Sequence, residues 1–164
     1  MSKIPFHAFR INYPVRTREL VTKIGIRPVS LDSHSTNVTL SDYFHAVWDT
    51  GATGSVISSA IVQKFNLIPM DKTTVYGVNS QEEVNVYLVD IGLPNKVLIP
   101  GVVVMECNLN SPGIDILIGM DIIQQGDFSI SNPDGKTVFS FCIPSHDNPV
   151  DLVEKSNRIN QRKN

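Results

Sequence analysis

An apolar segment interrupted by a short polar turn, residues 44–58, constrains the fold more than any other part of this chain. An alternating strand-like run over 44–48 leads directly into Asp-Thr-Gly at 49–51. Polar turns usually continue into polar residues, but here small and then apolar residues follow as far as Ile57. We therefore expect the chain to turn back into the core and to hold Asp49 in a mostly buried position.

Desolvation disfavours the charged form of a carboxyl group, so a buried Asp49 would need a favourable interaction that offsets this cost. A second carboxylate that shares one proton with it would supply that compensation. Taken alone, however, Asp-Thr-Gly is a weak signal, since Asp followed by Gly at a strand end is common turn chemistry. From this segment alone, the interpretation of Asp49 as part of an ordinary turn stays open.

The rest of the chain is patterned mainly for β-strands, with short runs rich in Val, Ile and Thr between Pro, Gly and Asn turns. The clearest hairpin joins residues 127–131 to 137–141 through the turn Asn-Pro-Asp-Gly at 132–135. Another strand is predicted over 84–91, with 73–78 as its candidate partner. The fold class is therefore all-β.

Helix signals are few, and we predict one or two short helices. The first covers residues 60–65, with Ser58 or Ser59 as N-cap and Asn66 closing it in a left-handed conformation. The second covers residues 120–125 and ends at the following glycine.

A second apolar segment, residues 113–123, combines a buried-strand pattern with a glycine and an acidic residue. Gly119 allows close backbone approach, and Asp121 could cap the short helix that follows. By itself the segment is compatible with any buried strand that enters a helix.

Together the two segments resemble the signatures of the retropepsin-like aspartic proteases, the family of the retroviral proteases and their cellular and bacterial relatives. The catalytic signature is matched by Asp49, Thr50, Gly51 and Ala52. The second signature is matched by Leu117, Ile118, Gly119 and, two positions on, Asp121. The resemblance covers about residues 40–142 and implies a closed β-barrel, the acid protease lobe.

The resemblance implies a role for each matching residue. Asp49 would be the catalytic carboxylate, Thr50 would hydrogen-bond across a dimer axis, and Gly51 would let the backbone pass close to substrate. A flap hairpin would lie between the signatures, and its candidate residues are Tyr76, Gly77, Val78 and Asn79. Retroviral flap tips are glycine-rich whereas this one offers only Gly77, so an ordinary sheet role for Tyr76 stays open.

The single Asp-Thr-Gly predicts a homodimer. This chemistry uses one ionised and one protonated carboxylate, and two close carboxylates titrate as a pair. The sequence has no second Asp-Thr-Gly or Asp-Ser-Gly, so we expect a two-fold dimer acting on a peptide or protein substrate. Residues 137–142 are a candidate intersubunit strand, with simple hairpin pairing as the alternative.

Composition argues against other partners. The formal net charge of −2 gives no reason to expect broad attraction to nucleic acid or anionic membrane. The most apolar stretch, residues 97–105, contains Pro-Gly and is too short to span a bilayer. No apolar run follows the N-terminus and two cysteines make no disulfide framework, so a cytoplasmic location is predicted.

No metal site or cofactor is predicted. Cys107 and Cys142 are interpreted as buried thiols, and the 4 histidines show no pairing at metal-ligand spacing. The serines at 55, 58 and 59 lack the frame of a hydrolase nucleophile. Asp115 and Asp121 are the other candidates for the catalytic carboxylate, but turn or cap roles are favoured for both.

We divide the chain into an N-terminal extension over 1–24, a protease domain over 25–143 and a polar, solvated or loosely helical tail over 144–164. A strand is expected around residues 20–26.

Two alternatives to an active peptidase stay open. A module of the same fold could dimerise or bind peptides with little or no proteolysis. Alternatively, the chain is a precursor, and residues before about Leu20 or after Ser145 must first be trimmed.

Overall fold

The computed structural model describes residues 5–29, 42–76, 81–109 and 111–161. Within these ranges the elements, in chain order, are β1 His7–Asn12, β2 Val21–Pro28, β3 Tyr43–Trp48, β4 Val56–Ile57, α1 Ser59–Phe65, β5 Asp71–Tyr76, β6 Gln81–Gly92, β7 Leu98–Glu106, β8 Ile116–Ile118, α2 Met120–Ile123, β9 Asp127–Ser131, a 3-10 turn Pro133–Gly135, β10 Val138–Ile143 and α3 Leu152–Gln161.

Six strands close into a barrel. Their order is β2-β3-β8-β4-β7-β6, and β6 pairs back to β2. At this closure Gly25 lies opposite Gly92 and Pro28 opposite Val89. A closed sheet has no free edge, and its strands form a rigid frame for the loops between them. The predicted all-β fold with a closed barrel is thus confirmed.

The β5–β6 hairpin extends from this barrel. β5 pairs antiparallel with β6, from Asp71 opposite Val86 to Tyr76 opposite Gln81. The predicted pairing of these two runs is therefore present. The flap-tip candidates Gly77, Val78 and Asn79, and the side chain of Tyr76, lie outside the described residues.

A second, three-stranded sheet joins the two ends of the chain, in the order β1-β10-β9. β10 pairs antiparallel with β9, as the predicted hairpin requires, and its other edge pairs with β1 from His7 opposite Ile143 to Asn12 opposite Val138. Because both edges of β10 are occupied within one chain, the simple hairpin interpretation of this strand holds.

The N-terminal residues contribute to both sheets. The strand expected around residues 20–26 is β2, a barrel strand, and the domain boundary predicted after residue 24 falls within it. The linker between β1 and β2 is fixed at Thr137, whose backbone carbonyl accepts from Tyr13 N–H at 2.8 Å and whose Oγ1 accepts from Thr17 N–H at 3.1 Å.

An aromatic cluster fills the space between the terminal sheet and the barrel. Trp48, at the end of β3, lies 5.0 Å from Phe141 and 5.2 Å from Phe139 between ring centroids. Phe9 of β1 and Phe128 of β9 complete the cluster. Large aromatic side chains contribute much of a core's buried area, so this cluster ties the terminal sheet to the barrel.

The helices are short, as expected. Asn66 ends α1 with φ 47°, whereas the Ser58 side chain at the other end makes no capping hydrogen bond. Gly119 is the N-cap of α2. The prediction that Asp121 is the cap of this helix is therefore wrong in position: Asp121 lies inside the first turn, where its Oδ1 accepts from the Ile122 N–H at 3.0 Å. The predicted polar tail forms the exposed helix α3, and no helix among the described residues is long and apolar enough to cross a membrane.

Candidate active site

Asp49 follows directly after β3, and the neighbouring strand fixes its backbone. β3 and β8 run parallel, with Trp48 opposite Ile118. The Asp49 N–H then donates to the Ile118 carbonyl at 2.9 Å. The two signature segments, far apart in sequence, are thus adjacent strands, and one sets the position of the other.

The Asp-Thr-Gly turn is closed by its own hydrogen bonds. The Gly51 N–H donates to Asp49 Oδ1 at 2.8 Å, and the Ala52 N–H donates to the Asp49 carbonyl at 3.3 Å. Asp49 is half-buried, while Thr50 and Gly51 are exposed. The expectation of a mostly buried Asp49 is wrong for the single chain, because the tip of the turn projects from the barrel.

The second signature passes directly behind this turn. The Met120 N–H donates to the Ala52 carbonyl at 2.8 Å, and the Asp121 N–H donates to the Thr53 carbonyl at 3.2 Å. A Cβ atom on Gly119 would lie 2.6 Å from the backbone carbon and oxygen of Gly54. Only glycine permits this approach, so Gly119 allows the two loops to lie in backbone contact.

Asp121 fastens the two loops through Ser55. Its Oδ1 accepts from Ser55 Oγ at 2.8 Å and its Oδ2 from the Ser55 N–H at 3.0 Å. Ser55 Oγ in turn accepts from the Gly119 N–H at 3.1 Å. Ser55 is fully buried, and a buried hydroxyl requires hydrogen-bond partners. Its position inside an apolar run was the sequence signal for this role, which we did not predict.

The remaining second-signature residues lie in the barrel strand next to the Asp49 strand. Leu117 is half-buried and Ile118 is buried, both in β8, between β3 and β4. Asp115, the other alternative to Asp49 as the catalytic carboxylate, makes backbone hydrogen bonds. Its N–H donates to the His45 carbonyl and its carbonyl accepts from the Ser58 N–H, both at 2.9 Å.

A groove of about 580 Å³ lies beside the signature loops. Its apolar wall includes Val86, Ile99 and Met105, and Gly54 and Asp121 line its loop side. The start of β5 supplies a polar rim, where Lys72 Nζ lies 2.8 Å from Glu83 Oε2. The hydrogen bond to Glu83 and the charge of that carboxylate raise the pKa of Lys72. The base of the predicted flap hairpin therefore forms one side of the groove.

A barrel lobe that presents an Asp-Thr-Gly turn braced by a Gly-x-Asp strand end defines the retropepsin-like class of fold. The sequence profile described as aspartyl protease matches residues 41–122, which contain the turn and the whole second signature. The chain belongs to this aspartyl protease family. No curated protein matches the sequence.

The chain is similar to several solved structures. A retropepsin-like aspartic protease from Rickettsia conorii is 13% identical, with a TM-score of 0.52 and coverage of 87% of this chain and 98% of that one. The protease of EIAV, complexed with the inhibitor HBY-793, is 19% identical over 70% of this chain and 92% of that one, with a TM-score of 0.47. Simian foamy virus (mac) protease is 14% identical over 64% of this chain and 92% of that one, with a TM-score of 0.43.

Proposed function

We propose that this protein is an aspartic endopeptidase whose active site forms when two copies bring their Asp49 side chains together. The observation that carries the proposal is the contrast within one turn. The backbone of Asp49 is fixed by β8, while the carboxylate is half-buried and the adjacent Thr50 and Gly51 are exposed. The turn is therefore rigidly held and still accessible to a partner chain and to substrate.

The chemistry follows from two carboxylates that share a proton. One Asp49, ionised, would take a proton from a water molecule as that water attacks the peptide carbonyl. Asp49 of the second copy, protonated, would donate to the developing oxyanion, and a proton would then pass to the leaving amine. Like charges a few ångströms apart cannot both ionise readily, so the pair would keep one proton between them.

Dimerisation is supported by what a single chain supplies. One chain has one Asp-Thr-Gly, so it provides half of the carboxylate pair. The exposed Thr50 is in a position to hydrogen-bond to its counterpart across a two-fold axis, the commonest symmetry of homo-oligomers. Gly51, with its N–H on Asp49 Oδ1, would keep the carboxylate oriented toward that axis.

The groove beside the loops supports a peptide or protein as substrate. An apolar wall with a polar rim suits an extended peptide that buries one side chain and keeps its neighbours in water. Tyr76 at the end of β5 and the following Gly77, Val78 and Asn79 remain our candidates for the flap that would cover it. A cytoplasmic location also remains part of the proposal.

The direct test is proteolysis of an unfolded protein by wild type and by Asp49→Asn, followed by mass spectrometry between pH 4 and 7. The matched control is Asp115→Asn, since the interactions of Asp115 described above involve its backbone. We expect cleavage by wild type and the control, and a loss of at least about 10²-fold in Asp49→Asn. Equal cleavage by Asp49→Asn would contradict the assignment.

Dimerisation is tested separately by sedimentation of the wild type over a range of concentrations. A protein that cleaves peptides while strictly monomeric at high concentration would contradict the shared site. We expect the specific activity to rise with concentration as dimers form.

A second candidate is a peptide-binding or dimerisation module with little proteolysis. The observation in its favour is that the groove is lined without Asp49, so peptide binding would not require this carboxylate. Binding of a peptide with equal affinity by wild type and Asp49→Asn, with no cleavage by either, would select this function.

The fold also bears on the precursor alternative. Removing residues before Leu20 would delete β1 and withdraw Phe9 from the aromatic cluster, so we expect N-terminal trimming to destabilise the fold. The tail helix α3 is exposed along its length, and its removal would leave the core intact.

A further inference from the structure

The groove beside the signature loops is lined by more negative than positive charge. Its charged lining residues are Asp71, Lys72 and Asp121. The Lys72 ammonium is bonded to the Glu83 carboxylate at 2.8 Å. Neither Asp71 nor Asp121 has an ion-pair partner among the residues that the structure describes. Two carboxylates without a counter-ion therefore border a groove whose remaining lining is largely apolar.

Three neighbouring strands build the floor of this groove. Asp71 of β5 lies opposite Val86 of β6, and Val86 lies opposite Met105 of β7. Directly opposite residues of antiparallel strands project from the same face of the sheet, so these three side chains form one row. Adjacent strands lie about 4.8 Å apart, which makes the row roughly 10 Å long. It has a carboxylate at one end and apolar side chains along the rest.

The other end of this row lies at the loop that follows the Asp-Thr-Gly turn. A Cβ atom on Gly54 would lie 3.1 Å from Met105 Cε, so the loop meets the row with no side chain between them. Asp121 lines the same side of the groove. Its carboxylate already accepts from the Ser55 hydroxyl, the Ser55 N–H and the Ile122 N–H. Asp121 therefore adds negative potential to the groove while its oxygens are occupied.

Asp71 is the exposed and available carboxylate of the row. Its Oδ1 accepts from the Lys72 N–H at 2.8 Å, and its Oδ2 has no hydrogen-bond donor among the described residues. Because successive side chains of a strand point to opposite faces, the Lys72 side chain leaves β5 on the other face, where Glu83 binds it. A cation that enters the groove would thus meet a free carboxylate oxygen.

We propose that the groove selects a substrate with a lysine or arginine side chain, and that Asp71 is the specificity-determining residue. This inference rests on the proposed peptidase function. The aliphatic stem of the substrate side chain would lie along Val86 and Met105, and its cationic end would reach Asp71. Long basic side chains bury their methylene groups on apolar surface while the charge stays in water, which matches a row that ends in an exposed carboxylate.

The location of the groove also restricts where this side chain lies in the substrate. Asp49 is not among the lining residues, so the basic residue occupies a position away from the bond that is cleaved. A glutamate at that position would face two carboxylates, and like charges brought together disfavour binding. The groove therefore discriminates by charge as well as by shape.

The experiment applies one library of short peptides to the full chain, with lysine, norleucine or glutamate placed at each position in turn. Norleucine has the aliphatic stem of lysine without the ammonium group, so it isolates the effect of charge. Mass spectrometry follows cleavage by wild type, and we expect lysine to be favoured over norleucine by about 3-fold at one position, with glutamate cut least. Asp71→Asn should lose this preference, and Asp71→Lys should favour glutamate there. Raised salt should weaken the preference of wild type.

The matched control is Asp134→Asn, which removes the same charge from the exposed turn between β9 and β10. Asp134 has φ 51°, a conformation that asparagine tolerates, so this variant should fold and keep the lysine preference. Circular dichroism establishes that each variant is folded. Cleavage without a lysine preference, an unchanged preference in Asp71→Asn, or an equal loss in Asp134→Asn would overturn the inference and leave the proposed peptidase function intact.

Retention of the same library on immobilised Asp49→Asn separates the two proposals. If wild type cuts no peptide, preferential retention of the lysine peptides that is lost on adding Asp71→Asn would support the basic preference and contradict the peptidase function. Equal retention of lysine and norleucine peptides, or no retention of either, together with no cleavage by wild type, would overturn both.

Discussion

Asp49 and Asp121 are the acidic residues that match the two signatures, and their surroundings differ. The Asp49 carboxylate accepts from the N–H of Gly51, two residues along the same turn. The Asp121 carboxylate accepts from the Ser55 hydroxyl, the Ser55 N–H and the Ile122 N–H. One carboxylate is thus bonded locally on an accessible turn, and the other joins two loops that are distant in sequence.

This difference separates a carboxylate that holds the structure from one that is available for chemistry. Hydrogen bonds to Asp121 replace the water lost on folding, so its removal should be costly for stability. The half-buried Asp49 retains capacity to accept further hydrogen bonds, from water, substrate or a second chain. The comparison therefore predicts that the same substitution lowers the free energy of unfolding strongly at Asp121 and only slightly at Asp49.

The largest effect on stability is expected for Asp121→Ala, which removes the acceptor of the buried Ser55 hydroxyl. We expect a loss of about 3 kcal/mol in the free energy of unfolding, because buried donors are left without partners. Asp49→Ala should change it by less than about 1 kcal/mol. Urea unfolding of both variants measures the difference. Equal losses in the free energy of unfolding would contradict the distinction between the two carboxylates.

A slightly smaller effect is expected for Gly119→Ala, where the new Cβ would lie 2.6 Å from the Gly54 backbone. Relieving this clash must shift one loop, at a cost of about 2–3 kcal/mol. The matched control is Gly54→Ala, whose Cβ would meet the mobile Cε of Met105 at 3.1 Å, and which should cost less than about 1 kcal/mol. Thermal unfolding of the pair tests this, and a harmless Gly119→Ala would contradict the close packing of the loops.

Ser55→Ala should lower the free energy of unfolding by about 1–2 kcal/mol, because Asp121 and the Gly119 N–H each lose a partner. Ser58 offers a direct control, since its hydroxyl is buried without a partner among the described residues. Ser58→Ala should be neutral or stabilising. If both substitutions cost the same in denaturant unfolding, the hydrogen bonds of Ser55 contribute nothing beyond packing.

The smallest effect concerns Glu106, a third hydrogen-bonded carboxylate, at the end of β7. The Ser59 hydroxyl, followed by the Tyr87 hydroxyl and the Asn85 amide, lowers the pKa of Glu106, while burial opposes the shift. A carboxyl with a lowered pKa stabilises the fold above its unfolded pKa, and this contribution is lost as pH falls through the folded pKa.

Between pH 6 and pH 3, wild type should therefore lose slightly more stability than Glu106→Gln, by less than about 1 kcal/mol after solvent screening. Unfolding midpoints across this range measure the difference. Identical pH profiles would show that hydrogen-bond donors to Glu106 do not stabilise the fold unless the carboxylate is also more deeply buried. That result would sharpen the contrast with Asp121.

Local chemistry made part of this fold predictable from the sequence. The Asn-Pro-Asp-Gly turn predicted the β9–β10 hairpin, and Asn66 adopts the left-handed conformation expected of it. The spacing of apolar and polar residues around both signatures predicted two strands, one leading into the Asp-Thr-Gly turn and the other into a short helix through Gly119. In each case the signal lies within a few residues, where backbone preferences act directly.

Long-range pairing was not predictable in the same way. The partner of β10 on its second edge is β1, at the other end of the chain, and the alternating pattern of β10 does not specify that partner. The exposure of Asp49 depends on where the barrel ends, and the bond between Ser55 and Asp121 depends on how the two loops meet. Such features follow from tertiary packing, which a single sequence pattern leaves undetermined.

Trp48, the only tryptophan in the chain, gives the protein a built-in optical probe. Its indole Nε1 donates to the buried Thr22 hydroxyl at 2.9 Å, and its ring packs on phenylalanines of the terminal sheet. Its emission should therefore be blue-shifted in the native state and should move to the red when that sheet separates from the barrel. Since the next residue is Asp49, fluorescence would report disturbance of the strand that carries the turn, without any added label.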